Sequence, residues 1–478
     1  MNCATAGIEP YVPTADVPWG AIRARHLFRR IGYGATVAEV RNALTRDPLE
    51  VVRELLDAAA AGSTLADPPW ATWDHERFVG EGLDPFQTYA DYMTDFIDRG
   101  LENGVAEKIT LFWHGHFATK YESHSCPAYQ HAYWKILTEY SFGSFREFVL
   151  EITRTPAMLF FLNGFENRRE SPNENYAREL FELFTLGEGN GYTQADITEA
   201  SRALTGWNRW TSYCGEVGWA DWGYDAGVKT IFGRQGTYDD AGLVDLLFAE
   251  RGDAVARYVC GKLYRYFVHP EIDADVVSAL ADTFVAADFA LLPVYHQLFA
   301  SAHFFDDRHI GVQIKSPLQM LSAFLREGGF GDFEHRRPWS FYGAATLGQY
   351  LGEPPDVAGW PAGRAWIDSN RLTLRWEFMD GFTWAVHNAD PLTYPRWAKE
   401  LTDNSRDPGV IARAVADTLL PRGLPSAAAY AEATRVLRWE VPANYYANQS
   451  WSLDWESASW QITLLLRHLA RQPEFQLT

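Results

Sequence analysis

Two histidines two residues apart, His114 and His116 in the run Phe112-Trp113-His114-Gly115-His116-Phe117, are the strongest candidates for chemistry in this chain. An imidazole can bind a divalent metal, move a proton near neutral pH, or contact a substrate. On a regular helix the two point to different sides. His116 continues the apolar stripe of Val105, Ile109 and Phe112, whereas His114 falls beside Leu111 and Glu107. They could share one metal only if Gly115 ended the helix and the chain extended, because alternate side chains then share a face. The same pair also reads as a hydrogen-bonded core histidine and one favoured at a helix C-terminus.

A carboxylate to match them is sought in Asn173 to Phe184. Tyr176, Leu180, Leu183 and Phe184 form its buried stripe, and Glu174, Arg178 and Glu182 form a self-paired ladder at i, i+4 and i+8. Glu179 and Asn175 belong to neither, so Glu179 is the acid free to meet a metal, an arginine or a histidine of the 112–117 segment; an ordinary ion pair is the plainer reading. A third group, Tyr224-Asp225-Ala226-Gly227-Val228-Lys229, places an acid and an amine in an aromatic loop, where they serve acid–base work or pin the loop. A fourth, Pro354 to Trp366, sets Trp360 and Trp366 on a Pro/Gly-rich loop that is either a stacking platform or a packed corner. The candidate catalytic groups are therefore His114, His116, Glu179, Asp225 and Lys229, with His114, His116 and Glu179 as a ligand set for a divalent metal. Trp113, Asn175, Arg178, Tyr224, Trp360 and Trp366 are the candidate substrate contacts. The chain contains no GxSxG, Walker A, HExxH or GxGxxG motif, and residues 186–197 fail as a calcium loop because Leu and Ile occupy its first and twelfth positions.

The elements that must position these groups read as helices. Periodicity predicts two or three short helices in 20–60, a long one over 86–102, and another ending near Phe117. Others follow at 128–141, 144–153, 172–186, 194–205, 239–250, 253–267, 273–286, 290–301 and 315–327. The last group covers 339–350, 369–387, 408–420, 427–437 and 453–471. Two starts carry capping boxes, Ser171-Pro172-Asn173-Glu174 and Thr193-Gln194-Ala195-Asp196, and the short link between their helices predicts an antiparallel pair. Segment 207–238 is irregular and aromatic, with 228–232 as its best strand. The expected fold is mainly α: a multi-helix globular bundle with long irregular aromatic and Gly-rich loops and few short strands. Residues 1–19 read as an N-terminal extension and 20–478 as a single domain, with room for two helical lobes at about 20–327 and 339–478.

Composition narrows the partners. Forty-two basic against sixty-two acidic residues leave a net charge of −20, which disfavours nucleic acid and anionic membrane surfaces. No apolar stretch approaches the ~18–20 residues that span a bilayer. The first residues lack the basic and apolar regions of a secretory leader, so the chain as written reads as cytoplasmic, or as exported if a leader has been removed. Most of the 19 Trp, 23 Tyr and 29 Phe are core filler, and an exposed remainder could stack on sugars. Four cysteines without a CxxC pair exclude a zinc ribbon; Cys126 and Cys214 could bridge in an oxidising compartment, and Cys260 reads as core.

Several of these stretches together resemble a large bacterial family known as domain of unknown function 1800. They are HLFRRIGYGATVAEV (26–40), EKITLFWHGHFATK (107–120), the run PNENYARELFELFTLGEGNGYTQADITEASRALTGW (172–207), VKTIFG (228–233), KSPLQMLSAFLREGG (315–329), LGQYLGEPPDVAGWPAGRAWIDSNRL (347–372) and PEFQ (473–476). The resemblance implies no settled activity. It implies that relatives are often exported and encoded beside a sulfatase-like companion protein, which is the partner to expect. Where relatives often carry His-Asp before the Gly-x-Lys motif, this chain has Tyr224-Asp225. Three functions follow as expectations: a metal- or acid/base-dependent, hydrolase-type enzyme acting on a carbohydrate-like or polymeric substrate; a non-catalytic partner of a companion protein or glycan; or a structural helical scaffold.

Overall fold

Helices account for most of the chain, and their starts show why. Asp47, Ser316 and Asp407 each accept a backbone N–H of the first turn and are each followed by a proline at the first helical position, as at Pro48, Pro317 and Pro408. The computed structural model describes residues 6–102, 104–331, 333 and 336–478, so Cys3 and Asn103 lie outside the described residues. Among the described residues, strands are confined to two small antiparallel pairs in the irregular aromatic segment. Arg209–Trp210 pairs with Val217–Gly218, and Lys229–Ile231, within the expected strand 228–232, pairs with Arg234–Gly236. A Cys126–Cys214 disulfide fastens this segment to the start of the helix Pro127–Glu139, and Cys260 is buried and free. Among the described residues no helix is long and apolar enough to cross a membrane.

Three expectations about helix boundaries change. The Thr193 capping box forms, with Asp196 reciprocating, but the Ser171 box does not. Ser171 instead bridges back to Arg168, and the helix begins only at Asn175, whose N–H is taken by the Asn173 side chain. The segment 172–186 is a short α-helix, Asn175–Glu179, running into a π-helical turn, Leu180–Thr185. The two helices expected over 239–267 form one element, Asp240–Phe267, bent at Arg251 where φ is −134°. Four helices fall outside the expected set: His75–Gly80, Pro156–Phe161 and Ala443–Ala447, which are too short to show a period, and Thr393–Thr402, which carries a readable stripe of Tyr394, Trp397, Ala398 and Leu401. The predicted antiparallel pair is present. Glu174 reaches Thr198 and Arg178 reaches Gln194, so contacts advance along one helix as they retreat along the other.

One connected core runs from Tyr11 to Phe475. Part of the expected N-terminal extension is built into it: the Tyr11 N–H donates to Ala300 O at 2.8 Å and its side chain is 2% exposed. At the edge of the first expected lobe lies a buried ion pair, whose arginine also bonds into the second. Arg29, on the helix Ala21–Ile31, bonds Glu327 at the end of the helix Pro317–Glu327, with Nη2 to Oε2 at 3.0 Å and both side chains 2% exposed. Arg29 also donates to Thr418 O in the helix Pro408–Leu419. Removing one partner of such a pair strands the other charge away from water. Glu327→Ala is therefore expected to lower the unfolding free energy by about 3–5 kcal/mol in chemical denaturation. A double replacement, Arg29→Met with Glu327→Met, is expected to recover most of that loss; a single variant within 1 kcal/mol (roughly the worth of a surface pair) would show that the pair does not join these helices.

Candidate functional site

The histidine helix, Val105–His116, runs through the interior and is buried nearly all round, so both imidazoles are buried although they leave it on different sides. The Gly352 N–H points at His114 Nε2, 3.2 Å away. That nitrogen must then be the acceptor, which puts the ring proton on Nδ1. Nδ1–H donates to Tyr133 Oη at 2.7 Å, and the Tyr133 hydroxyl passes its own proton to Phe117 O at 2.9 Å. The relay is complete in one direction and uses both ring nitrogens. Burial pushes the His114 pKa down to about 3, keeping the ring neutral.

Steric fit reinforces the polar contact. Gly359 has φ +85°, and a Cβ added there would lie 2.1 Å from Gly115 O. Gly352 has φ +78°, with its missing Cβ 2.5 Å from Tyr89 Oη. The loop that carries Trp360 is thus seated directly on the His-Gly-His turn, and the Trp360 ring meets the His114 ring edge-on at 4.9 Å. The Trp360 indole N–H is buried without a partner.

His116 makes a different bond, donating from Nε2 to Phe184 O at 2.9 Å. This carbonyl is available because Phe184 sits in the π-helical turn, whose widened spacing exposes main-chain oxygens that an α-helix would use. Tyr258 Oη takes the neighbouring Leu183 O at 2.9 Å in the same way. His116 Nδ1 is buried without a partner, and burial, then the charge of Lys262, holds the His116 pKa well below the usual histidine range.

Glu179 does not join them. Its carboxylate is half-buried and makes no hydrogen bond or ion pair among the described residues. Burial raises its pKa, Glu182 adds to the shift and Arg178 opposes it. The helix that carries Glu179 reaches His116 through the backbone of Phe184, five residues on. Among the described residues no group of three His, Cys, Asp or Glu side chains is arranged to hold a metal ion, so His114, His116 and Glu179 are not brought together as a ligand set.

The remaining candidates are placed as follows. Asp225 is held by Arg202 at 2.7 Å and by the Gly227 N–H, while Lys229 is buried and donates to the main-chain oxygens of Asp225 and Gly227. Acid and amine pin the loop, each through a separate partner, and the Lys229 ammonium lies 5.0 Å from the Tyr224 ring. The Tyr224 hydroxyl donates to Tyr238 O at 3.3 Å. Arg178 is shared by Glu174, Glu182 and Gln194, and exposed Asn175 donates to Asn163. Trp113 is fully buried, with its indole N–H on Tyr295 Oη at 3.0 Å, so no ligand reaches it in this conformation.

Trp366 lies elsewhere, on a cavity of about 720 Å³. Its walls bring together Arg30 of the first helix, Lys108 of the histidine helix, Arg265 and Tyr266 of the bent helix, and Arg364 with Trp366 of the loop that follows Trp360. Lys108 is 4% exposed and makes no hydrogen bond or ion pair among the described residues; its ammonium lies over Tyr33 at 5.1 Å and Tyr266 at 5.6 Å. Burial, then the charge of Arg30, lowers its pKa to about 7. Arg30, 2% exposed, donates from Nη2 to His309 O at 2.8 Å, while its Nε and Nη1 are buried without partners among the described residues. Sequence reasoning missed this group. The available signal was a lysine and an arginine among apolar neighbours, in Lys108-Ile109-Thr110-Leu111-Phe112 and Leu27-Phe28-Arg29-Arg30-Ile31.

The contact between the two glycines gives a paired test. Gly359→Ala is expected to cost about 2–4 kcal/mol through overpacking and an unfavourable φ. Gly115→Ala meets nothing within 4 Å and should be neutral or slightly stabilising in a helix. Equal thermal midpoints for the two variants would contradict the packing of loop on helix.

No curated protein and no solved structure is detectably similar to the chain. A family model described as "Protein of unknown function (DUF1800)" matches residues 26–477, a span that contains the histidine helix, the π-helical turn and the loop seated on them. The chain belongs to the DUF1800 family.

Proposed function

We propose that this protein is a recognition protein that holds a small organic ligand in the cavity walled by Tyr266 and Trp366, in preference to a metal-dependent hydrolase centred on the histidines. One observation carries the reading. Both nitrogens of His114 are committed to internal hydrogen bonds, whereas among the described residues the Lys108, Arg265, Tyr266, Arg364 and Trp366 side chains of the 720 Å³ cavity make none and Arg30 makes only the one to His309 O. A site that is concave, apolar on part of its wall and supplied with a few convergent polar groups is the usual form of a small-molecule site. The disulfide supports an oxidising compartment, where such bonds persist.

An enzyme reading keeps one observation of its own: Glu179, half-buried, unpaired and with a raised pKa, has the properties of a general acid. A direct comparison separates the two. Thermal midpoint and Trp fluorescence are measured with neutral oligosaccharides, sugar phosphates and sugar sulfates, and metal content and hydrolysis are measured on the same samples. Recognition predicts a ligand response in the wild type and in Glu179→Gln that is lost in Ala362→Trp, which fills the cavity from its exposed rim. Stoichiometric metal or hydrolysis that disappears in Glu179→Gln would replace recognition with the enzyme reading.

A further inference from the structure

The cavity carries charge that the rest of the molecule does not explain. The chain as a whole is strongly acidic, yet the side chains at this cavity include four cations, Arg30, Lys108, Arg265 and Arg364, against one acid, Glu271. Among the described residues none of the four forms an ion pair. Elsewhere, buried Arg29 has Glu327 as an ion-pair partner, and Lys315 donates its ammonium to Phe475 O at 3.0 Å. Thr478 also borders the cavity, with its main chain paired to Gln313.

An uncompensated buried cation is expensive. A buried charge without a partner costs several kcal/mol even after relaxation, and each buried donor left without an acceptor adds about 1–3 kcal/mol. Two nitrogens of Arg30 meet the second description; the Lys108 side chain, 4% exposed and without an ion pair among the described residues, meets the first, and both residues line the same space. A fold that keeps them there is arranged for an anion that neutralises them on binding. The geometry favours a tetrahedral oxyanion, because an arginine fork and a lysine point charge approach it from different helices, and both types are standard phosphate ligands. The cavity is much larger than one such group, and its other wall is Tyr266 and Trp366.

We infer that this cavity binds a small organic oxyanion ester, a phosphate or sulfate monoester, with its charged group at Arg30 and Lys108 and its body against Tyr266 and Trp366. The inference deepens the recognition reading and rests on it. Lys108 is the residue that distinguishes ligand capture from mere structure. A structural lysine supports the fold, whereas a lysine held for a ligand burdens the ligand-free protein. A bound dianion also raises the lysine pKa, so the ammonium is fully charged in the complex.

The test uses inorganic phosphate and inorganic sulfate as probes, with chloride at matched ionic strength as the control, on the full chain by calorimetric titration and thermal denaturation. The expected result is binding of at least one probe, a tenfold or greater rise in Kd for Lys108→Met, and a higher thermal midpoint for ligand-free Lys108→Met than for wild type. Arg364→Ala, a change at an exposed position with no partner to lose, should weaken binding a few-fold and leave the midpoint unchanged. The relative affinities of the two probes then identify the ester. Absence of any phosphate or sulfate effect beyond chloride, or unchanged binding in Lys108→Met, overturns the oxyanion assignment. A neutral sugar that still binds and is blocked by Ala362→Trp would leave the recognition reading standing, whereas a ligand response untouched by Ala362→Trp would remove both.

Discussion

A single backbone amide organises the centre of this protein. The Gly352 N–H donates to His114 Nε2, and the hydrogen bond fixes the tautomer of a ring that is fully buried. A buried imidazole with an unmatched nitrogen would lose about 1–3 kcal/mol, so loop, ring and the Tyr133 hydroxyl stabilise one another. The Gly359 contact with Gly115 adds a steric demand, because no side chain fits between the loop and the helix end. Two motifs more than two hundred residues apart are joined by a polar contact and a steric one at the same place.

That junction also sets where the rest of the molecule can be specific. The loop leaves it through Trp360 and continues to Arg364 and Trp366 on the cavity, while the histidine helix carries Lys108 about a turn and a half before His114. Holding His114 therefore holds two walls of the cavity in register. His116, through Phe184 O, ties the same helix to the π-helical turn on its other side. In the proposed recognition function the histidines are positioning residues that do not line the cavity.

Much of this architecture is legible in the residues, for physical reasons. The Thr193 capping box and the Ser316-Pro317 and Asp407-Pro408 starts are local and need no tertiary partner, so the pattern and the structure agree. The Ser171 box looks the same in sequence but loses to a bridge with Arg168. The stripe of Val105, Ile109 and Phe112 places His116 in the core, but periodicity does not reveal that the opposite side of that helix is also covered. The meeting of His114 with Gly352 depends on the closing of a long chain segment and leaves no trace in spacing. Lys108 and Arg30 are hidden for a further reason: charge within an apolar run normally marks a helix's solvent face, and only burial shows that these two have none. Glu179 illustrates the limit from the other side. The pattern shows correctly that it is outside the charged ladder, and the ladder says nothing about what it faces.

The central claim is that His114 is a neutral, fully bonded structural imidazole, and nitrogen NMR of histidine-labelled protein tests it most directly. The account predicts one His114 signal with a protonated Nδ1 and an accepting Nε2, unchanged from pH 8 to pH 5 and unchanged on adding zinc, because its pKa lies at about 3. A His114 ring that titrates near the ordinary histidine value of about 6.5, or whose Nε2 shifts when zinc is added, would contradict it.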